Sequence, residues 1–258
     1  MDNTIISESS GNTIIITLNK PKTRNALSTD MVISLISELQ KANADAQCRA
    51  IVLTGAGGNF CSGGDVSAMT ADRPILASRI RIERAHQIIR LINGGPKPVI
   101  AAVDGIAYGL GLSLASACDY IVASKNSSFC AVFNKVGLIP DMGLMATLPL
   151  RVGLVKSKQF MFLAKPVNCE EALRIGLVDQ TTECEDTLQT ALTQATEFGS
   201  SAPLPIALTK AFYSKGSASL EEALRTEVDH QPALYLSEDH LEGVAAFREK
   251  RLPKFNGR

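Results

Sequence analysis

No stretch of this sequence is long and apolar enough to span a bilayer. The longest nearly uncharged run, Gly105 to Cys118, is too short and too rich in glycine. Net charge is also missing: Lys and Arg total 26, and so do Asp and Glu. No overall field therefore recruits nucleic acid or an anionic membrane. The six cysteines (Cys48, Cys61, Cys118, Cys130, Cys169, Cys184) form no Cys-x-x-Cys pair, and several sit in apolar runs. Free thiols in a reducing compartment account for them better than disulfides or zinc. His86, His230 and His240 have no metal-ligand spacing, so no metal is expected. The first twenty residues lack a charged segment followed by an apolar one, and the final Asn-Gly-Arg is not a peroxisomal tripeptide. The expectation is a soluble, cytoplasmic protein.

Several catalytic signatures are present only in fragments. Gly58 and Gly63 stand at phosphate-loop spacing, but Gly64 occupies the place of the required lysine. Phe60 and Leu114 stand where the third glycine of a dinucleotide fingerprint belongs. Gly111-Leu-Ser113-Leu-Ala115 is one residue short of a nucleophile elbow. Asp119, Asp141, His230 and His240 follow in an order a triad permits, but both histidines fall in charged helices, where solvation is the simpler reading. Arg248, Lys250, Arg251, Lys254 and Arg258 surround Phe255. That cluster is either a solvated tail or a grip on a small phosphorylated ligand.

What is present is an α/β pattern in 258 residues, enough for one large domain or one with an appendage. Thr4 to Ser7 and Thr13 to Asn19 read as strands, and Ala50 to Gly55 as a buried one. Ser28 caps a helix with Val32, Leu35, Ile36 and Leu39 on one face. Pro74 to Ile92 is amphipathic. Val99 to Val103 is a further strand, and Gly109-Leu110-Gly111 opens a helix of small residues over Leu112 to Cys118. Such a glycine-lined strand-to-helix junction lets bare backbone approach a ligand, and free N–H groups there favour negative charge. Two glycine loops, each after a buried strand, point to a pair of N–H donors aimed at one ligand, although tight turns alone would also explain them. Gly143 to Ala164 reads as two helices broken near Pro149 and Gly153. Asn168 caps a short helix closed by Gly176, before a strand at Leu177 to Asp179. From Glu183 onward only helices are expected, over 185–198, 203–213, 220–234 and 238–248. A composition shift near residue 200 divides residues 1–199 from 200–258.

These residues resemble the crotonase superfamily, the enoyl-CoA hydratase/isomerase family, over nearly the whole chain. The resemblance rests on Asn19 to Leu27 (NKPKTRNAL), Phe60 to Asp65 (FCSGGD), Val99 to Gly105 (VIAAVDG) and Ala117-Cys118-Asp119. Gly137 to Pro140 (GLIP), Glu170 to Val178 (EEALRIGLV) and Phe247 to Phe255 (FREKRLPKF) extend it. It implies a spiral of ββα units over 1–199 with a C-terminal helical region at 200–258 that assembles trimers or dimers of trimers. It also implies an acyl-CoA substrate, with no cofactor beyond the coenzyme A the substrate carries. By motif position, Gly64 and Leu110 supply the backbone N–H groups of an oxyanion hole. Lys22, Arg24, Ala26, Ser62, Asp65 and Val66 fall where the family holds the adenine and pantetheine, and Lys254 and Phe255 where a tail covers the nucleotide.

The departures bear on the activity. A hydratase of this family would carry glutamates at Ser113 and Phe133, and both are missing. Asp141 stands where some isomerases place their acidic residue. The run from Val132 to Asp141 (VFNKVGLIPD) is similar to the ring-epoxide isomerase of phenylacetate breakdown. The expected activity is isomerisation of an acyl-CoA thioester with Asp141 as proton shuttle. Ser113, Phe133, Leu138 and Met142 would line the acyl pocket. Hydration, thioester hydrolysis and non-catalytic coenzyme A binding are the alternatives.

Overall fold

The fold starts from a hairpin: β1 (Ile5–Ser10) pairs antiparallel with β2 (Thr13–Leu18) around Gly11, whose φ of +57° suits the turn. The computed structural model describes residues 3–65, 74–216 and 218–258. Ser28 then caps α1 (Thr29–Ala44), its hydroxyl accepting from the Met31 N–H at 3.4 Å, and Asp30 sits in the positive first turn. Met31, Leu35 and Leu39 are wholly buried on one stripe, each contributing roughly 1.5–3 kcal/mol.

β3 (Ala50–Gly55), α2 (Ile75–Asn93) and β4 (Val99–Val103) follow, then β5 (Ile106–Tyr108), α3 (Leu110–Ala117), β6 (Tyr120–Ser124) and β7 (Ser128–Cys130). After these come α4 (Leu144–Val152), α5 (Leu154–Leu163), β8 (Val167–Asn168), α6 (Cys169–Arg174), β9 (Gln180–Thr182) and α7 (Thr187–Gly199). The main sheet has the order β1-β2-β3-β4-β6-β9, parallel from β2 onward; a small second sheet has the order β5-β7-β8. Ile51, Leu53, Val99, Ala101 and Val103 face a core shared with α1 and α2. Ala50, Val52, Ile100, Ala102 and Val122 face the opposite side, under Ala191 and Ala195 of α7. Covering both faces explains why AIVLTG and VIAAV are unbroken apolar runs.

Among the described residues every strand precedes Glu183. The rest is α8 (Pro203–Tyr213), α9 (Leu220–Leu234) and α10 (Glu238–Glu249). α8 is fastened to the sheet by Lys210, whose ammonium donates to the Asp119 carboxylate and, at 3.0 Å, to the Ile92 carbonyl. Asp119 also accepts from the Val99 N–H at 2.7 Å. It works as a clamp, not as a triad member.

β1 runs on to Ser10 where the sequence pattern ends it at Ser7, and two later boundaries also differ from expectation. Pro149 lies inside α4, and only Gly153, at φ +76°, separates α4 from α5. A proline removes one helix donor, which a nine-residue helix tolerates; the left-handed backbone at Gly153 ends it. The last strand begins at Gln180 and not at Leu177. Leu177 and Val178 donate to the Ala172 carbonyl at 2.9 and 3.1 Å, closing α6, and pairing with β6 starts only where Asp179 donates to Ile121.

Candidate active site

The chain from Cys61 to Gly64 runs beside the chain from Ala107 to Leu110. Cys61 donates to the Ile106 carbonyl and accepts from the Tyr108 N–H, both at 3.0 Å. Glycines make the approach possible. A Cβ on Gly111 would sit 2.2 Å from the Cys61 carbonyl oxygen, and one on Gly63 would sit 3.2 Å from the Tyr108 carbonyl oxygen. On the outer side, Leu27 donates to Gly63 and accepts from Asp65, which turns the Gly64 N–H away from Leu27. Leu110 is the first residue of α3, so its N–H has no carbonyl within the helix. Among the described residues, neither the Gly64 nor the Leu110 N–H donates to another group. Two backbone donors with no partner among the described residues thus lie on adjacent segments, one of them at a helix N-terminus that favours negative charge.

Ser113, one turn into α3, couples this junction to Asp141. Its hydroxyl is buried and donates to the Asp141 backbone carbonyl at 2.9 Å, with the Gly109 carbonyl at 3.3 Å. No histidine reaches it: His86 faces Asp141, and the His240 ring stands edge-on to Tyr235 at 5.3 Å. The serine therefore lacks the base a nucleophile needs.

Asp141 sits in a sharp elbow. Met142 and Gly143 are both left-handed, at φ +49° and +73°, and Met142 is fully buried. Holding a non-glycine residue there costs on the order of 1 kcal/mol. The elbow turns the Asp141 carboxylate back on its own chain, where Oδ1 accepts from the Met142 N–H at 2.5 Å. His86 of α2 places Nε2 3.1 Å from the same oxygen, and both side chains are about one-third exposed. Phe133 and Leu144 are buried nearby in the sequence, whereas Leu138, Ile139 and Met145 expose half or more of their surface. In the single chain these last three are outward-facing apolar residues.

The residues assigned by resemblance to the nucleotide fall in two places. Lys22 and Arg24 are exposed on the turn after β2, and Ala26 is half-buried. This turn is joined to Ser62, whose N–H donates to the Arg24 carbonyl at 2.9 Å and whose hydroxyl donates to the Thr23 carbonyl at 3.0 Å. The Asp65 N–H donates to Leu27; Val66 lies outside the described residues. Lys254 and Phe255 belong to a tail that folds back on α10 of the same chain. The Phe255 ring would be 3.6 Å from a Cβ on Gly243. The buried Asp239 carboxylate accepts from the Asn256 and Gly257 N–H groups at 2.7 and 2.9 Å. Among the described residues no hydrogen bond or ion pair joins this tail to the turn at Lys22–Ala26. Arg251 of the basic cluster is spent on Glu242 and Glu249, and the Arg251 guanidinium and the Lys254 N–H hold the Glu242 carboxyl down at about 2. Phe255 and Arg248 border an open groove of about 500 Å³ between α8, α9 and α10.

Two residues of this region were missed in the sequence. Asn25, fully buried at φ +57°, accepts from the Lys20 N–H and donates to the carbonyls of Ala56 and Asn59, at 2.9, 2.9 and 2.6 Å. It fixes the Lys22–Arg24 turn against the loop that leads to Gly64. His86 carries no metal-ligand spacing, so its role shows only in its place on α2. Ile82, His86 and Ile89 fall on one stripe of α2, and that spacing carried the signal.

Burial pushes the Cys61 and Cys118 thiols up to about 12, so neither is a nucleophile at neutral pH. Among the described residues no cluster of His, Cys, Asp and Glu could hold a metal ion, and no helix is long and apolar enough to cross a membrane.

Residues 8–258 match the family model described as enoyl-CoA hydratase/isomerase. A short-chain-enoyl-CoA hydratase of Clostridium acetobutylicum is 33% identical over 251 residues, covering 96% of each chain. The 1,2-epoxyphenylacetyl-CoA isomerase of Escherichia coli is 32% identical over 258 residues, covering 98% of each. The crystal structure of an enoyl-CoA hydratase from Polaromonas sp. JS666 superposes with a TM-score of 0.91 at 34% identity, over 97% of this chain and 99% of that one. The crotonase fold is thereby shown.

Proposed function

Since the chain belongs to the enoyl-CoA hydratase/isomerase family, we propose that it isomerises an acyl-CoA thioester, moving a double bond or rearranging a ring. The thioester carbonyl oxygen lies between the Gly64 and Leu110 N–H groups. Asp141 removes a proton from the carbon next to that carbonyl, and the electron pair moves onto the oxygen as an enolate. The two donors hold the developing charge, and losing one such donor typically costs about a hundredfold or more in rate. Asp141 then returns the proton at a different carbon, so no water enters the product. Lys22, Arg24, Ala26, Ser62, Asp65 and Val66 take the coenzyme A moiety. Phe133, Leu138 and Met142 wall the acyl group, with Ser113 behind them. Copies of this chain, as a trimer or a dimer of trimers, cover the helices after residue 200 and the exposed Leu138 and Ile139.

The supporting observation is the pair of positions Ser113 and Phe133. Several relatives are named hydratases, and the hydratase reading needs a carboxylate pair to work on water. Ser113 is occupied by two backbone carbonyls and Phe133 is a buried apolar ring. Asp141 stands by the junction, joined to it through the Ser113 hydroxyl. Asp141→Asn keeps the shape of the side chain and removes its ability to carry a proton. It should lower turnover of a 3-enoyl-CoA by about a hundredfold or more while leaving thioester affinity nearly unchanged. Ser113→Ala should do far less. The opposite ranking would favour hydrolysis through the serine, and full activity in Asp141→Asn would place the acid–base group elsewhere.

A further inference from the structure

The geometry points to His86 as a positioning residue that fixes which oxygen of Asp141 carries the proton. This rests on the reading of Asp141 as the acid–base group. An ionised carboxylate only accepts hydrogen bonds, so at 3.1 Å the His86 Nε2 must be the donor. The same oxygen, Oδ1, already accepts from the Met142 N–H at 2.5 Å. Oδ1 thus takes two donors from two directions, one from the elbow and one from α2. Oδ2 accepts none among the described residues. The carboxylate is pinned at one oxygen and open at the other.

The elbow is also tied to α2 and to α3. Gly143 packs the elbow on α2, since a Cβ there would lie 3.3 Å from the Ile89 Cγ2, less than one turn from His86. The Ser113 hydroxyl ties the Asp141 carbonyl to the first turn of α3, where the Leu110 N–H emerges. The Met142 N–H holds Oδ1 in place but leaves the carboxylate plane to turn about that oxygen, and the imidazole, coming from α2, fixes the plane. Oδ2 is the oxygen that takes the proton from one carbon and delivers it to the next. His86 itself touches neither carbon. A His–Asp hydrogen bond this exposed adds little to stability, so its effect falls on geometry. Displacing a reacting group by about 1 Å costs up to roughly a hundredfold in rate.

The test is a series at one position, assayed on a 3-enoyl-CoA beside Asp141→Asn, with thermal melts to confirm folding. His86→Ala should lower kcat by about tenfold or more with KM nearly unchanged, as expected for lost alignment. His86→Gln puts an amide N–H near the Nε2 position and should restore most of kcat. His86→Asn reaches only to the Nδ1 position and should behave like the alanine variant. Full activity in His86→Ala, or a glutamine variant as slow as the alanine one, overturns the positioning role. Nitrogen NMR of the unmodified protein gives a second reading that needs no variant. At neutral pH the His86 proton should reside on Nε2, and a bare Nε2 overturns the proposal. If instead Asp141→Asn stays fully active, the proposed function fails, and the His86 series reports that failure separately.

Discussion

Strand β4 and helix α9 use apolar residues in opposite ways. All five side chains of β4 are buried, between the core that holds α1 and α2 and the layer under α7. None of the fifteen residues of α9 is buried, although Leu220, Leu224 and Val228 recur every four positions along one side. α9 is capped well, with Ser219 and Glu222 in a reciprocal capping box. Capping alone does not supply the packing on which helices in proteins depend. The body around β4 completes its own core, and both backbone donors and Asp141 are mounted on it. The C-terminal helices leave their apolar stripe uncovered in a single chain, which is why the proposed assembly places them between copies.

That contrast predicts that changes in the body act on folding, whereas changes in the helices act on association. The largest effect is expected at Gly111. The Cβ of alanine there meets the Cys61 backbone carbonyl at 2.2 Å, and since that carbonyl cannot turn aside as a side chain would, α3 and the Cys61 segment must part, at a cost of about 3 kcal/mol. Urea unfolding measures it; a change under half a kcal/mol would mean the junction is looser than described. Asn25→Ala is next. It leaves the Lys20 N–H and two loop carbonyls without their partner and puts alanine at a positive φ, for a loss of about 2 kcal/mol. The same titration should show it, and a neutral result would detach the Lys22–Arg24 turn from the glycine loop.

Those two residues also mark how far the sequence could be read. The unbroken runs at Ala50 to Gly55 and Val99 to Val103, the Ser28 cap and the four helices after Glu183 were legible, because period and capping are local. The short strands β5, β6, β7 and β8 were not. Two to five residues between turns carry too little pattern, and their pairing is set by distant partners such as Asp179 for Ile121. The glycines of the junction were visible as glycines, but the clash of Gly111 with Cys61 depends on two segments some fifty residues apart. Asn25 read as a polar loop residue because one of its partners, Lys20, lies at the start of its own loop and the other two, Ala56 and Asn59, lie in a second loop. His86 needed α2 to be laid against the elbow at Met142 before its partner could be seen.

On the helical side, Leu224→Ser combined with Val228→Ser removes two exposed apolar residues. Single-chain stability should move by no more than about 0.5 kcal/mol, but the sedimenting particle should become smaller. An unmodified protein that already sediments as one chain would remove the need for a cover. The smallest effect concerns the tail. The Glu242 carboxyl is held at about 2 against an ordinary 4.5. Its pairing with Arg251 and the Lys254 N–H is therefore complete above the ordinary value and is lost as pH falls through about 2. Glu242→Gln at neutral pH should speed amide exchange at Lys254 and leave β4 protected. Equal exchange in both proteins would show that Asp239 alone anchors the tail.

The central claim is a proton moved by one carboxylate with no water added, and product analysis in heavy-oxygen water tests it most directly. A 3-enoyl-CoA, a 2-enoyl-CoA and a ring-epoxide CoA thioester are each incubated with the protein, and the products are assigned by NMR and mass. The account predicts a shifted double bond or an expanded ring with no heavy oxygen incorporated. A hydroxyacyl product or a free acid carrying heavy oxygen would contradict it.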